Sequence, residues 1–390
     1  GRAEEESGWH AVSKRMLMIA DAGGFWTKRY IENLLLPNGW EVVLFPIWEK
    51  HGRFDDYYRE AGVTVYQDAH TLPVVRHVPR LRMWARIALN ARDLQKLGPF
   101  DAVHNHYLSQ RDLALGDRVR RANPGAKWVC SFWGSDLMRS PEQELRRMGP
   151  YLAKCDAITV HSAVNVDMVR KRYGESAAAK TSIVYFGQTV YDDIARVQKT
   201  ETRADCRRHF GFPQDKKIVC VGSNAQPAQK QLELIEALLK QPGAEELFVV
   251  LQMSYGHEDK AYEKRIREAA QKLPGGYAWL DQFLDGTESA RLRLAADVFV
   301  LAIPTDMFSA SMQEYLFAGA RVVRGGWLRY PQLTELGIET SEFADFDEAV
   351  REMVQAARTP LSPDQRARRD ELPRRYSWAA VSEGWLRLYR

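Results

Sequence analysis

The stretch ADVFVLAIPTDMFSASMQEYLFAGARVV, residues 296–323, decides how this chain is read. Its apolar run ends at Pro304, a residue with no N–H to give to a sheet ladder. A short polar loop follows, holding Asp306, Ser309 and Ser311, and then a helix-compatible segment that stops at Gly319. That order predicts a strand, a loop, a helix and the next strand, the repeating unit of a parallel sheet covered by helices. A helix start presents backbone N–H groups with no partner of their own, so the segment Ser309, Ala310, Ser311 is a ready anion site. Glu314, about one turn further in, is placed to accept from a sugar or ribose hydroxyl. Together these features have the chemistry of a nucleotide-sugar site.

Working outward, the same unit recurs on both sides. RMLMIADAGG reads as a buried strand entering a glycine turn, with Gly23 and Gly24 where backbone can approach a ligand. A tight turn with no ligand is the equal alternative for that pair. The segment FWTKRYIENLLLPNGW reads as a helix with Tyr30, Ile31, Leu34 and Leu35 on one side, ended by Asn38-Gly39, and EVVLFPIW as the next strand. FDAVHNHY, KWVCSFWGSD and DAITVHS are further strand-and-loop units. After a polar link at Gly187–Thr200 the pattern restarts with KKIVCVGSNA, the helix QKQLELIEALLKQPG, LFVVLQMSYG, a charged helix and YAWLDQFL. Two tandem β/α domains are therefore expected, spanning 16–190 and 200–372, with ligands at the carboxyl ends of the strands. The polar residues 1–15 read as a disordered or artificial end, and 373–390 as a terminal helix with Trp378, Val381, Trp385, Leu386 and Tyr389 on its apolar side. That helix packs on one domain or crosses between the two.

The bulk properties narrow the class. A chain of 390 residues is long enough for two cores. A formal net charge of +4 with both signs interspersed argues against general nucleic-acid binding. The four cysteines, Cys130, Cys155, Cys206 and Cys220, make no CxxC pair and no zinc spacing, which fits a reducing cytoplasm. No apolar run has the length of a membrane span, and no secretory signal stands out. The stretch RHVPRLRMWARIALNARDL interleaves arginines at 76, 80, 82, 86 and 92 with apolar residues. It reads either as a surface helix packed on the sheet or as a face for anionic lipid on the inner side of the membrane.

Three passages carry a family likeness. AGGFWTKRYIENLLLPNGWEVVLF, LAADVFVLAIPTDMFSASMQEYLFAGARVV and the terminal YSWAAVSEGWLRLY resemble the opening loop, donor signature and closing helix of the large retaining family of GT-B nucleotide-sugar glycosyltransferases. FWGSD, VGSNAQPAQKQ and GGWLRYPQL are similar to a divergent subgroup that includes the fucosamine transferase of enterobacterial common antigen synthesis. The resemblance implies an α/β fold of the GT-B type, two Rossmann-like β/α domains facing a central cleft. It also implies transfer of a hexosyl or deoxyhexosyl unit from a nucleoside-diphosphate sugar to a glycan, lipid-linked or polysaccharide. Transfer would proceed with retention, with no metal and no other cofactor.

By the same resemblance, Asp306 takes the first of two paired acidic positions, which contacts the donor sugar, and Glu314 the second, which holds the ribose. Asp306 is one methylene shorter than the family's usual glutamate. Ser309, Ala310 and Ser311 offer N–H groups to the diphosphate, and Lys230 matches the family's lysine. The arginine of that loop is replaced by Ser223 and Asn224. Gly23 and Gly24 are expected against the donor phosphates. In the acceptor half the family's loop histidine is replaced by Trp133, which leaves Asp136 as a candidate base and His106, with His104 and His161, as candidate substitutes. Asp55-Asp56 and Asp192-Asp193 read as solvated pairs and not as a metal site. Two rivals stand beside the transferase: an epimerase or phosphorylase-like GT-B enzyme, and a non-catalytic sugar-nucleotide binder.

Overall fold

Met16–Ala20 are wholly buried, as befits a strand covered on both faces. The computed structural model describes residues 13–48 and 52–390. Most of the expected loose end at 1–15 lies outside the described residues, but Lys14 and Arg15 already belong to the first strand. They pair in register with Trp40 and Glu41. The first strand is β1 (Lys14–Ala20), followed by β2 (Trp40–Pro46), β3 (Thr64–Val65) and β4 (Ala102–His106). Then come β5 (Lys127–Ser131), β6 (Ala157–Val160) and β7 (Thr181–Ile183). They form one parallel sheet in the order β3-β2-β1-β4-β5-β6-β7. Leu17 sits in register between Val43 and Val103.

The second sheet contains β8 (Lys217–Val221), β9 (Leu247–Gln252), β10 (Tyr277–Leu280), β11 (Val298–Leu301), β12 (Arg321–Gly325) and β13 (Ser341–Phe343). Its order is β10-β9-β8-β11-β12-β13, again all parallel. In both sheets the strand order reverses direction once, between β1 and β4 and between β8 and β11. The loops leaving those paired strands diverge to opposite faces and open a crevice at the carboxyl edge, where ligands of such sheets bind. The core of the second unit gathers Val219, Val221, Ile235, Leu251, Val300 and Met353, all buried. A Leu or Ile to Ala change at such a position costs about 2–5 kcal/mol.

The chain divides after Phe186. The second unit is Gly187–Ala380, and Val381–Arg390 group with the first. The segment expected to be a polar link is instead largely helical, Val190–Val197, because Val190, Tyr191, Ile194 and Val197 fall on one buried side. It belongs to the second unit, where the Tyr191 hydroxyl donates to Gln313 Oε1 at 2.9 Å. The terminal helix runs Trp378–Leu386. Trp385 Nε1 donates to the Tyr185 carbonyl at 2.8 Å, and the Tyr389 hydroxyl is hydrogen-bonded to His104 Nδ1 at 2.6 Å.

The arginine-rich stretch forms the helix Pro79–Gln95. Its second half buries Ile87, Asn90, Ala91 and Leu94, whereas Leu81 and Trp84 in its first half stay exposed. Among the described residues, no helix is long and apolar enough to cross a membrane.

Candidate functional site

The loops after β8 and β11 carry the donor-side candidates, and they leave neighbouring strands, since Val300 pairs with Val221. After β11 the chain runs through Pro304–Phe308 into the helix Ala310–Ala318. Ser309 caps that helix, its Oγ accepting from the Met312 N–H at 3.2 Å. Gly319 ends it in a left-handed conformation at φ 98°, which a side chain would strain. The N–H groups of Ala310 and Ser311 are left at the open end with no protein partner among the described residues. The loop ahead of it is fixed from behind: Gln313 Nε2 donates to the carbonyls of Phe308 and Ser309, at 3.4 and 3.3 Å.

Glu314 is buried, and it is not alone. Arg293, on the helix Gly286–Ala295, approaches Glu314 Oε2 through Nε at 2.9 Å and Nη2 at 2.8 Å. Arg293 Nη1 also reaches Gln252 Oε1 at 3.1 Å and the Tyr315 hydroxyl at 3.3 Å. Burial alone would lower the Arg293 pKa, but Tyr315 and Glu314 outweigh it and hold the guanidinium above its ordinary value. Both contacts from Arg293 fall on Oε2. Arg293 escapes sequence reading because one arginine on a helix looks like surface.

Asp306 accepts from the Tyr330 hydroxyl at 2.7 Å, and Tyr330 is itself buried. The carboxylate pushes the Tyr330 pKa up, secondary to burial. The shorter acid is thus oriented by a tyrosine that sequence reading did not single out.

The β8 loop holds Lys230 at φ 60°, the residue before the helix Gln231–Leu238. Its ammonium makes no ion pair among the described residues. Two other candidates in this loop are already engaged. The Ser223 N–H donates to Gln229 Oε1 at 2.9 Å, and Asn224 Oδ1 accepts from the Gln226 N–H at 2.9 Å. These bonds shape the loop in the absence of the arginine. Lys230 is its one cationic side chain.

In the first unit, the Gly23 N–H donates to Asp21 Oδ1 at 3.0 Å, and a Cβ on Gly24 would meet Asp21 Oδ2 at 2.8 Å. The Asp21 side chain therefore folds over the turn, and Gly24 is accounted for by that close approach. Asp136 departs most from expectation. Its carboxylate accepts from the N–H groups of Trp133 and Gly134, both at 2.9 Å, and of Leu108 at 2.8 Å. Burial raises its pKa to about 6 against those bonds. It stitches the β4 and β5 loops together through these three backbone donors, a positioning role that the sequence did not suggest.

His104 is fully buried between Tyr389 and Ser131, whose Oγ lies 2.7 Å from Nε2. His106 accepts from Trp133 Nε1 at 3.2 Å on Nδ1, so its proton is on Nε2, which is buried without a partner. Burial pushes His106 down to about 3 and His161 to about 4. All three imidazoles are neutral near pH 7. Among the described residues, no group of three or more His, Cys, Asp or Glu could hold a metal ion. The four cysteines are free and buried.

Neither a family model nor a curated protein matches the sequence. Solved structures do match. The Anabaena HepE protein in complex with UDP and glucose superposes with a TM-score of 0.70 at 16% identity, covering 96% of this chain and 98% of that one. The fold is GT-B. A glycosyltransferase from Rickettsia africae matches with a TM-score of 0.73 at 15% identity over 97% and 98%. Sucrose-phosphate synthase from Thermosynechococcus elongatus gives 0.68 at 17% over the same shares. This GT-B chain therefore shares its arrangement of strands and helices with known glycosyltransferases. Its site residues rest on its own geometry.

Proposed function

We propose that the protein is a glycosyltransferase that takes a sugar from a nucleoside diphosphate and passes it to a glycan acceptor. One observation carries this reading. Lys230, the open helix end at Ala310 and Ser311, and the Glu314 carboxylate all lie on loops or a helix that follow β8 and β11, the two strands at the second sheet's reversal point.

In this reading Lys230 and the two N–H groups carry the diphosphate charge, and the helix dipole adds to them. The departing diphosphate is the group on which negative charge grows as the glycosidic bond breaks, so fixed donors aimed there lower the barrier. Glu314, locked by Arg293, accepts from the ribose. Asp306, turned by Tyr330, meets the sugar. Supplying this charge from protein groups fits transfer without a metal. Retention of configuration is carried by the family resemblance, as is the likeness to the fucosamine transferase subgroup. We place the reaction at the cytoplasmic face of the membrane, with a lipid-linked or polysaccharide acceptor, on the strength of the arginine-rich helix Pro79–Gln95.

A non-catalytic sugar-nucleotide binder is the second reading, and it is favoured by the β8 loop, where Ser223 and Asn224 are satisfied internally and one cation remains. Incubation with a panel of nucleotide sugars separates the two. A transferase slowly hydrolyses its own donor and releases the nucleoside diphosphate. A binder protects the donor indefinitely.

A further inference from the structure

At the edge of the second sheet opposite the donor loops, five arginines gather around the C-terminal end of the helix Ala310–Ala318. Arg203 and Arg207 lie one turn apart on the helix Arg203–Phe210, and Arg366 and Arg369 one turn apart on the helix Pro363–Arg369. Arg321 opens β12, and its N–H donates to the carbonyl of Asp297, the residue before β11, at 2.8 Å. Asp297 also accepts from Arg203 Nη1 at 2.9 Å and Arg207 Nη2 at 2.5 Å. Among the described residues it is the one carboxylate paired with the group, and Arg321, Arg366 and Arg369 make no ion pair.

The carbonyl end of a helix favours a nearby cation, and Arg369 already fills that place. Its Nη1 donates to the carbonyls of Leu316 and Ala320, at 3.1 and 2.5 Å. Arg369 is 2% exposed, and its Nε is buried with no partner. Burial, with Arg321 and Arg366 adding to it, pulls its pKa down to about 9. A buried cation whose charged neighbours are further cations is left uncompensated by the protein itself. The others can be reached from solvent: Arg366 is exposed, the Arg203 side chain is 40% exposed and Arg321 is half-buried. Gly319 leaves a gap between them. A Cβ there would have Arg366 Nη1 at 3.6 Å and Arg203 Nη2 at 3.9 Å as its nearest neighbours beyond the adjoining chain. Two guanidinium groups thus flank one point, an arrangement suited to the oxygens of a phosphate.

We propose that Arg203, Arg321, Arg366 and Arg369 form a second anion site, which takes a small phosphate compound of two or more negative charges, a polyphosphate or a phosphomonoester. The anion sits over Gly319 between Arg203 and Arg366 and draws on the charge of Arg321 and Arg369. This place is separate from the candidate donor loops. It lies at the amino edge of the sheet, whereas Lys230 and Ser311 follow the carboxyl ends of β8 and β11. The 9 residues of the helix Ala310–Ala318 set the two about 13 Å apart. A bound anion relieves the like-charge repulsion at one end of that helix, and the open N–H groups of Ala310 and Ser311 stand at the other. The inference does not depend on the transferase reading.

The test is isothermal titration of the full chain, at constant ionic strength, with pyrophosphate, glycerol phosphate and sulfate. Three proteins are compared: wild type, Lys230→Ser, and Lys230→Ser with Arg321→Ser and Arg366→Ser added. The lysine change removes the cation of the candidate donor loop, so that an anion bound there is not mistaken for one bound at the arginines. Saturable binding of pyrophosphate or glycerol phosphate is expected in wild type and in Lys230→Ser. Adding the two arginine changes should weaken it about tenfold or more. Without ligand, the arginine changes should leave the unfolding midpoint unchanged or higher, since neither side chain makes an internal ion pair. The phosphate compound should raise the midpoint of Lys230→Ser and not that of the combined variant. The tighter of the two compounds identifies the source of the phosphate. Loss of binding in Lys230→Ser alone places the anion in the donor loop and overturns the proposal. Binding that survives the arginine changes, equal affinity for sulfate, or no binding of either phosphate compound to wild type also overturns it.

Discussion

Arg293 and Glu314 form a buried ion pair, Nη2 to Oε2 at 2.8 Å, and each side chain is almost wholly removed from solvent. Such a pair adds little net stability compared with an apolar pair, but removing one partner strands the other charge. Arg293→Met should therefore destabilise the second unit by about 3–5 kcal/mol. Arg293→Lys keeps the charge but not the fork, and should fall between the two. Urea unfolding of both variants, monitored with wild type, checks the order. Equal midpoints for all three would mean that the pair is not closed in solution.

Asp136 offers a sharper contrast between structure and catalysis. Asn at this position has one acceptor oxygen where three N–H groups now converge. Asp136→Asn should lower stability by about 1–3 kcal/mol for the backbone donor left unmatched. Thermal denaturation reads this directly. An unchanged midpoint together with abolished turnover would restore the general-base role that the sequence suggested.

These two residues show what could and could not be read from the chain. The strands β1, β8 and β11 are legible because burial on both faces writes a continuous apolar run, whereas β4 buries His104, Asn105 and His106. The helix Ala310–Ala318 is legible because Ser309 and Gly319 mark its ends. The strands β3 and β13 escaped, since two or three residues at a sheet edge carry no period. The open N–H groups that begin the helix after β11 were legible from backbone chemistry alone. Arg293 and Tyr330 were not, because each acts through a partner more than twenty residues away in sequence, and the local bonds of Gln313 and Gln229 follow no recognisable pattern. The three backbone bonds to Asp136 were likewise hidden, since Leu108 lies on another loop. The helix Pro79–Gln95 packs in its second half, as a surface helix would, and is exposed in its first.

The buried histidines set an acid limit on the first unit. Burial depresses His106 from 6.5 to about 3 and His161 to about 4, and lowers His104 as well, with His106 adding to the effect. Below pH 6.5 the unfolded chain binds protons that the folded chain refuses, so stability falls with pH. Their contribution is complete above 6.5 and is lost progressively down to about 3 to 4, at up to about 1.4 kcal/mol per unit per histidine. Asp136 works in the opposite sense: with its pKa raised from 3.8 to about 6, it adds stability as pH falls through that window. Burial raises the Asp112 carboxyl too, so three histidines stand against two carboxyls and leave a net loss. Unfolding midpoints at a series of pH values between about 7.5 and 4 should decline, and His161→Gln should flatten the decline.

Gly222 leaves β8 at φ 69°, and a Cβ there would lie 2.9 Å from Gln231 Nε2 and 3.0 Å from Gln229 Oε1. Gly222→Ala should cost about 1 kcal/mol or more from the left-handed backbone alone. The same change displaces Gln229, which orients the Ser223 N–H, and with it the approach to Lys230. Nucleotide affinity should drop several-fold at constant fold, read by titration beside circular dichroism.

The central claim, that the loops after β8 and β11 hold a nucleoside diphosphate through Glu314, is tested most directly by isothermal titration of wild type and Glu314→Gln with UDP, dTDP and GDP. Gln keeps the shape of the side chain and an oxygen for Arg293, but not the charge that a ribose hydroxyl donates to. The account predicts saturable binding of at least one of the three nucleotides to wild type. It predicts a loss of about tenfold or more in Glu314→Gln, roughly 1.4 kcal/mol for a charged hydrogen bond. An unchanged affinity in the variant, or no binding of any of the three to wild type, would contradict it.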